Sequence, residues 1–88
     1  MKYTIKGAKE VLKEFEKAKA HKLDTKIKEL IEILKKNPFQ NPPKYEKLVG
    51  DLKGKYSRRI NRKHRIVYSI DEKNKIIYIL STWTNYEK

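Results

Sequence analysis

The chain has 88 residues, 23 Lys and Arg against 11 Asp and Glu, a formal net charge of +12 and no cysteine. At this length a single domain over residues 1–88 is expected, with a small core that buries about 60–65% of the surface exposed by the unfolded chain. Disulfides and thiolate metal sites are excluded, a zinc site on the two separated histidines, His21 and His64, is disfavoured, and neither a metal nor a cofactor is expected. No apolar run reaches the roughly 18 residues of a membrane span, and the first residues lack the apolar core of a signal peptide, so a cytoplasmic protein is expected.

Residues 2–5 alternate in polarity and predict a short first strand. Ala8, Val11, Leu12 and Phe15 then fall at helical spacing, which predicts an amphipathic helix ending near Ala20 or His21. Asp24 is placed to cap a second helix, whose apolar stripe is Ile27, Leu30, Ile31 and Leu34. Lys35 and Lys36 suit the negative end of its dipole, and Asn37-Pro38 stops it. The uncharged connector Pro38 to Pro43 follows, with Phe39 as its anchor into the core. Beyond it the chain reads as strands: a weak one at Tyr45 to Leu48, then Lys55 to Asn61, Arg65 to Ile70 and Lys75 to Ser81. Gly50 and Gly54 mark turns or a bulge, and Asp71 to Asn74 reads as a hairpin turn. The expected fold is α+β, in the order β-α-α-β-β-β-β, with two N-terminal helices packed on one face of a twisted antiparallel sheet.

The excess charge is concentrated on the strands. Residues 44–68 carry nine basic and two acidic groups, whereas residues 69–88 carry three of each. A cationic sheet face suits a polyanion, either nucleic acid or an acidic protein segment. A merely soluble Lys-rich surface accounts for the helices, but less well for an Arg-containing cluster, because the planar guanidinium is favoured where phosphate is gripped. Strand alternation sets Ser57 and Arg59 on one face and Tyr56, Arg58 and Ile60 on the other. With Ile66 and Ile70 turned to the helices, Arg65 falls on the open face.

The residues NPF at 37–39, YEKL at 45–48, Gly54, YSRRI at 56–60, HRIVY at 64–68 and WTNYE at 83–87 resemble the Txe/YoeB family of bacterial toxins. That family falls within the RelE-like group of ribosome-dependent mRNA endonucleases. The resemblance covers most of the chain and is weakest over the first helix. It implies a RelE-like fold and the toxin of a type II toxin–antitoxin system. It further implies cleavage of mRNA in the ribosomal A site, without a metal, and so inhibition of translation. The implied partners are a cognate antitoxin, the ribosome with its rRNA and mRNA, and a second copy of the chain or a toxin–antitoxin heteromer; DNA is met only through the antitoxin.

Such cleavage proceeds by attack of the 2′-hydroxyl on the adjacent phosphorus. It needs a base for the 2′-proton, cations for the added negative charge and an acid for the departing 5′-oxygen. By resemblance Glu46 is the base and Arg65 the cation nearest the phosphate, supported by Arg59. Tyr86 positions substrate or acid, and Lys44, Lys47 and Lys53 contact the RNA backbone. Two positions depart from the family pattern. Asn85 stands where the family has the His taken as general acid, a loss that costs about 10²–10⁴-fold. Val49 stands where a Lys is usual. Asn85 leaves three readings open: drift to a slow or inactive toxin, a substitution that lets a toxic protein be produced, or Tyr86 acting as the acid. The competing class is a non-catalytic module that holds RNA, the ribosome or an acidic partner on the same face. Without the resemblance, Glu46 reads as a surface carboxylate balancing Lys44 and Lys47.

Overall fold

The computed structural model describes residues 2–85, and side chains as far as residue 82. The elements are β1 (Thr4–Gly7), α1 (Lys9–Ala20), α2 (Asp24–Lys36), β2 (Tyr45–Lys47), a 3-10 turn (Gly50–Leu52), β3 (Lys55–Arg59), β4 (His64–Asp71) and β5 (Ile76–Asn85). The five strands lie in the order β1-β5-β4-β3-β2. The β5-β4-β3-β2 pairings are antiparallel, as expected, while β1 runs parallel to β5 and makes the sheet mixed. The helical pair carries the chain from β1 at one edge to β2 at the other and covers the face between. No helix among the described residues is long and apolar enough to cross a membrane.

The core forms where the apolar stripes of helices and sheet meet. Ile27, Leu30 and Leu34 of α2 pack with Ile66, Tyr68, Ile77 and Ile79 of the sheet and with Val11 and Ala18 of α1. Each fully buried aliphatic side chain contributes roughly 1.5–3 kcal/mol. The stripe of α2 is the expected one. That of α1 is turned: Val11 and Ala18 are buried and Phe15 is half-buried, but Leu12 is 66% exposed. The inward positions are therefore 11, 14, 15 and 18, and they include Glu14, which is half-buried.

Asp24 is not the cap of α2 but its first residue; Leu23 holds the cap position and makes no side-chain cap bond. The reason lies in how α1 ends. Lys22 takes the left-handed conformation (φ 61°), its N–H bonds Lys19 O at 3.0 Å, and the Leu23 N–H bonds Ala18 O at 2.9 Å. This is a Schellman closure. It uses the Leu23 backbone and starts α2 one residue early, and the Asp24 carboxylate still complements the positive end of the helix dipole.

The last strand is longer than expected and is bulged. Tyr68 pairs with Ile79, Val67 with Ser81, and Arg65 with Thr84, with register shifts on both sides of Val67. The C-terminal half of β5 is thereby displaced by two residues relative to its N-terminal half.

Candidate active site

The two adjacent arginines of β3 divide the work between the sheet faces. Arg58 is 1% exposed. Its guanidinium donates to the Tyr68 hydroxyl at 3.1 Å and to the carbonyls of Pro38 (2.9 Å), Gln40 (2.9 Å) and Pro43. It also lies 5.1 Å from the centroid of the Tyr45 ring. Phe39, Tyr45 and Tyr56 meet edge to face at 6.0–6.3 Å, and Tyr56 stacks on Tyr68. Burial pushes the Tyr68 phenol above its ordinary value, against the opposing effect of the Arg58 charge and hydrogen bond. Arg58 is thus the structural member of the pair. It ties the connector down and delivers β2 to the edge of β3.

The opposite face carries the candidate chemistry. Lys44, Glu46 and Arg59 are exposed, and with Pro43 they line a cleft of about 440 Å³. Glu46 stands across from Ser57, Ser57 across from Val67, and Arg59 across from Arg65. Two strand spacings and two residues of rise place the Glu46 and Arg65 Cα atoms about 12 Å apart. Long side chains reaching inward from those positions can hold one phosphodiester between a carboxylate and two guanidiniums. Carboxylate and cations on an open sheet face can take a proton from a hydroxyl and stabilise added charge on phosphorus.

The other expected site residues fall elsewhere. Lys47 alternates away from Glu46 and, with Lys53 and Lys55, lines a separate groove of about 540 Å³ along Leu48, Val49, Gly54 and Tyr56. The structure therefore divides the lysines between two surfaces, with Lys44 alone in the Glu46 cleft. Asn85 is paired with His64 through the backbone, next to the Arg65–Thr84 pair. Its side chain and that of Trp83, and all of Tyr86, lie outside the described residues. Ser57, which alternation sets on the face of Arg59, is 1% exposed, and its hydroxyl makes no hydrogen bond among the described residues.

The family model for YoeB-like toxins of bacterial type II toxin–antitoxin systems matches residues 7–86. The chain belongs to this family. It is 41% identical over 67 residues to toxin YoeB of Synechocystis, spanning 76% of each protein. YoeB of Staphylococcus aureus has been solved as a dimer and in a heterotetrameric complex with YefM. It is 31% identical across 98% of this chain and 100% of that one, with TM-scores of 0.81 and 0.79 respectively. RelE of Pyrococcus horikoshii, solved with RelB, is 28% identical over 100% of both chains, with a TM-score of 0.79. The family is one of RelE-like endoribonuclease toxins, and the chain shares its fold of two helices on a five-stranded sheet. The cleft at Glu46 brings that carboxylate together with Lys44 and Arg59, and Arg65 stands opposite Arg59 on the neighbouring strand.

Proposed function

We propose that this YoeB-like toxin cleaves mRNA in the ribosomal A site by transfer of the phosphoryl group to the neighbouring 2′-oxygen. Glu46 takes the 2′-proton as the new O2′–P bond forms. Arg65 and Arg59 stabilise the negative charge on the phosphoryl oxygens, and Lys44 holds the flanking backbone. The P–O5′ bond then breaks, and the departing oxygen takes a proton from the Tyr86 hydroxyl or from solvent water, the donors that remain when position 85 is an amide. The products are a 2′,3′-cyclic phosphate and a 5′-hydroxyl. The observation that carries this reading is the convergence of Glu46, Lys44 and Arg59 in one cleft, with Arg65 across the sheet from Arg59. An amide at position 85 gives up no proton at neutral pH, so cleavage is slower than with an imidazole there, by about 10²-fold or more.

The partners follow from the same reading. A cognate antitoxin with an acidic segment covers the cationic face and blocks the cleft, as its charge invites. The chain works in the cytoplasm, pairs with a second copy or with antitoxin, meets the ribosome through rRNA and mRNA, and reaches DNA only through the antitoxin. Primer extension in a purified translation system tests this with the unmodified chain, Asn85→His and Glu46→Gln. Ribosome-dependent cuts that strengthen in Asn85→His and vanish in Glu46→Gln are expected. Asn85 also favours one second reading, a binding module without catalysis. That reading wins if every variant leaves the mRNA intact while still binding ribosomes.

A further inference from the structure

Glu14 is an acidic residue in the buried stripe of α1, where helical spacing calls for an apolar one. Its carboxylate reaches the bulged segment of β5. One oxygen, Oε1, accepts from the Thr82 backbone N–H at 2.7 Å and from the Ser81 hydroxyl at 3.1 Å. The first distance is that of a charge-assisted bond. The contact falls between two register shifts. Val67 pairs with Ser81 and Arg65 with Thr84, so Thr82 and Trp83 together oppose Ile66 alone. A bulge leaves a backbone group of the longer strand without its ladder partner, and here the helix supplies that partner.

We propose that Glu14 is a positioning residue, which by clamping Ser81 and Thr82 fixes the offset of the C-terminal half of β5 against β4. The offset decides which residues of β5 stand beside His64 and Arg65. A slip of one residue moves the end of the strand by about 3.3 Å and exchanges its two faces. The end of β5, which carries Asn85, is then out of place relative to Arg65. The consequence for cleavage rests on the ribonuclease reading above; the consequence for register does not.

The variants Glu14→Ala, Glu14→Gln and Val11→Ala test the proposal. The amide that Glu14→Gln introduces keeps an oxygen that accepts both bonds. Val11, a core residue one turn earlier on α1, controls for loss of helix packing. Hydrogen exchange of the Thr82 amide and NMR contacts across β4–β5 report the register directly. Cleavage is measured on saturating ribosomes in the Asn85→His background. Glu14→Ala is expected to unprotect Thr82, to weaken the Arg65–Thr84 pairing and to lower the cleavage rate by about 10²-fold, the scale of an ångström-sized misplacement, with the ribosome concentration at half-saturation unchanged. Glu14→Gln is expected to keep both properties within a few fold. Val11→Ala is expected to lower the melting temperature without altering Thr82 exchange. Unchanged pairing and Thr82 exchange in Glu14→Ala overturn the proposal, as does a loss in Glu14→Ala that Val11→Ala reproduces. If no variant cleaves RNA, the ribonuclease reading fails and the exchange data still decide the role of Glu14.

Discussion

Replacing Arg58 with alanine is expected to cost about 3–4 kcal/mol of folding stability without touching the cleft face. Arg58 donates four hydrogen bonds, of which those to Pro38 O and the Tyr68 hydroxyl are fully buried, while those to Gln40 O and Pro43 O are part-buried. Water can replace the donor at the two part-buried carbonyls. The two dry groups are left unsatisfied, at about 1–3 kcal/mol each. Loss of the contact with the Tyr45 ring adds about 0.5–2 kcal/mol. Relief from burying a cation offsets part of the sum. For a chain of this length total stability is roughly 4–13 kcal/mol, so the loss is a large share. Urea unfolding followed by circular dichroism measures it. With a slope of about 1–1.5 kcal/mol/M the midpoint falls by about 2–4 M, and the slope itself stays constant. Arg58→Lys should fall between, because one ammonium cannot reproduce the planar fork that spans three carbonyls and a phenol. A loss below about 1 kcal/mol in Arg58→Ala refutes the reasoning, and would mean that the aromatic cluster holds the connector without the guanidinium.

Four further outcomes are expected. Arg65→Ala lowers the single-turnover cleavage rate in the Asn85→His background by about 10²–10³-fold, the cost of one missing charge-stabilising donor. Arg59→Ala weakens RNA binding and reduces the slope of log K against log salt by about 0.7, the value of one phosphate contact on a single strand. Lys22→Gly, at a left-handed position (φ 61°), removes a strain of about 1–2 kcal/mol and raises the melting temperature by several degrees in calorimetry. The Asp71 carboxyl is held below its ordinary value, first by the Asn74 side-chain amide and then by the Asn74 backbone N–H. Its stabilising effect is therefore present above the ordinary carboxylate pKa and is lost as pH falls through the lowered one. In Asn74→Ala the Asp71 resonance titrates at higher pH, and a titration unchanged from the parent chain contradicts this assignment.

Alternation along β3 was enough to separate Arg58 from Arg59, because the two-residue period of a strand is local and needs no knowledge of the partner strand. The same period also separates Glu46 from Lys47, but it was not applied to β2 and Lys47 was grouped with the site; the cleft that joins Glu46 to Arg59 becomes visible only once β2 is laid beside β3. The stripe of α2 was legible because all four apolar positions agree. That of α1 was not: Leu12 is apolar yet faces solvent, and Glu14 is charged yet turns inward to a strand 67 residues away. A long-range polar contact leaves no trace in local periodicity. Neither does the parallel pairing of β1 with β5, which joins the two ends of the chain. The Asp24 cap failed for a local reason, a left-handed Lys22 where glycine is the usual signal. The bulges of β5 have no glycine to announce them and were read as an earlier end to the strand.

The chemistry of the cut ends tests the account most directly. RNA cleaved on ribosomes by the Asn85→His variant should carry a 2′,3′-cyclic phosphate on one fragment and a 5′-hydroxyl on the other. Mass spectrometry of the fragments identifies both, and both should be absent with Glu46→Gln. Fragments ending in a 3′-hydroxyl and a 5′-phosphate would mean that water, not the 2′-oxygen, attacks phosphorus, and would contradict the assignment of Glu46 and Arg65.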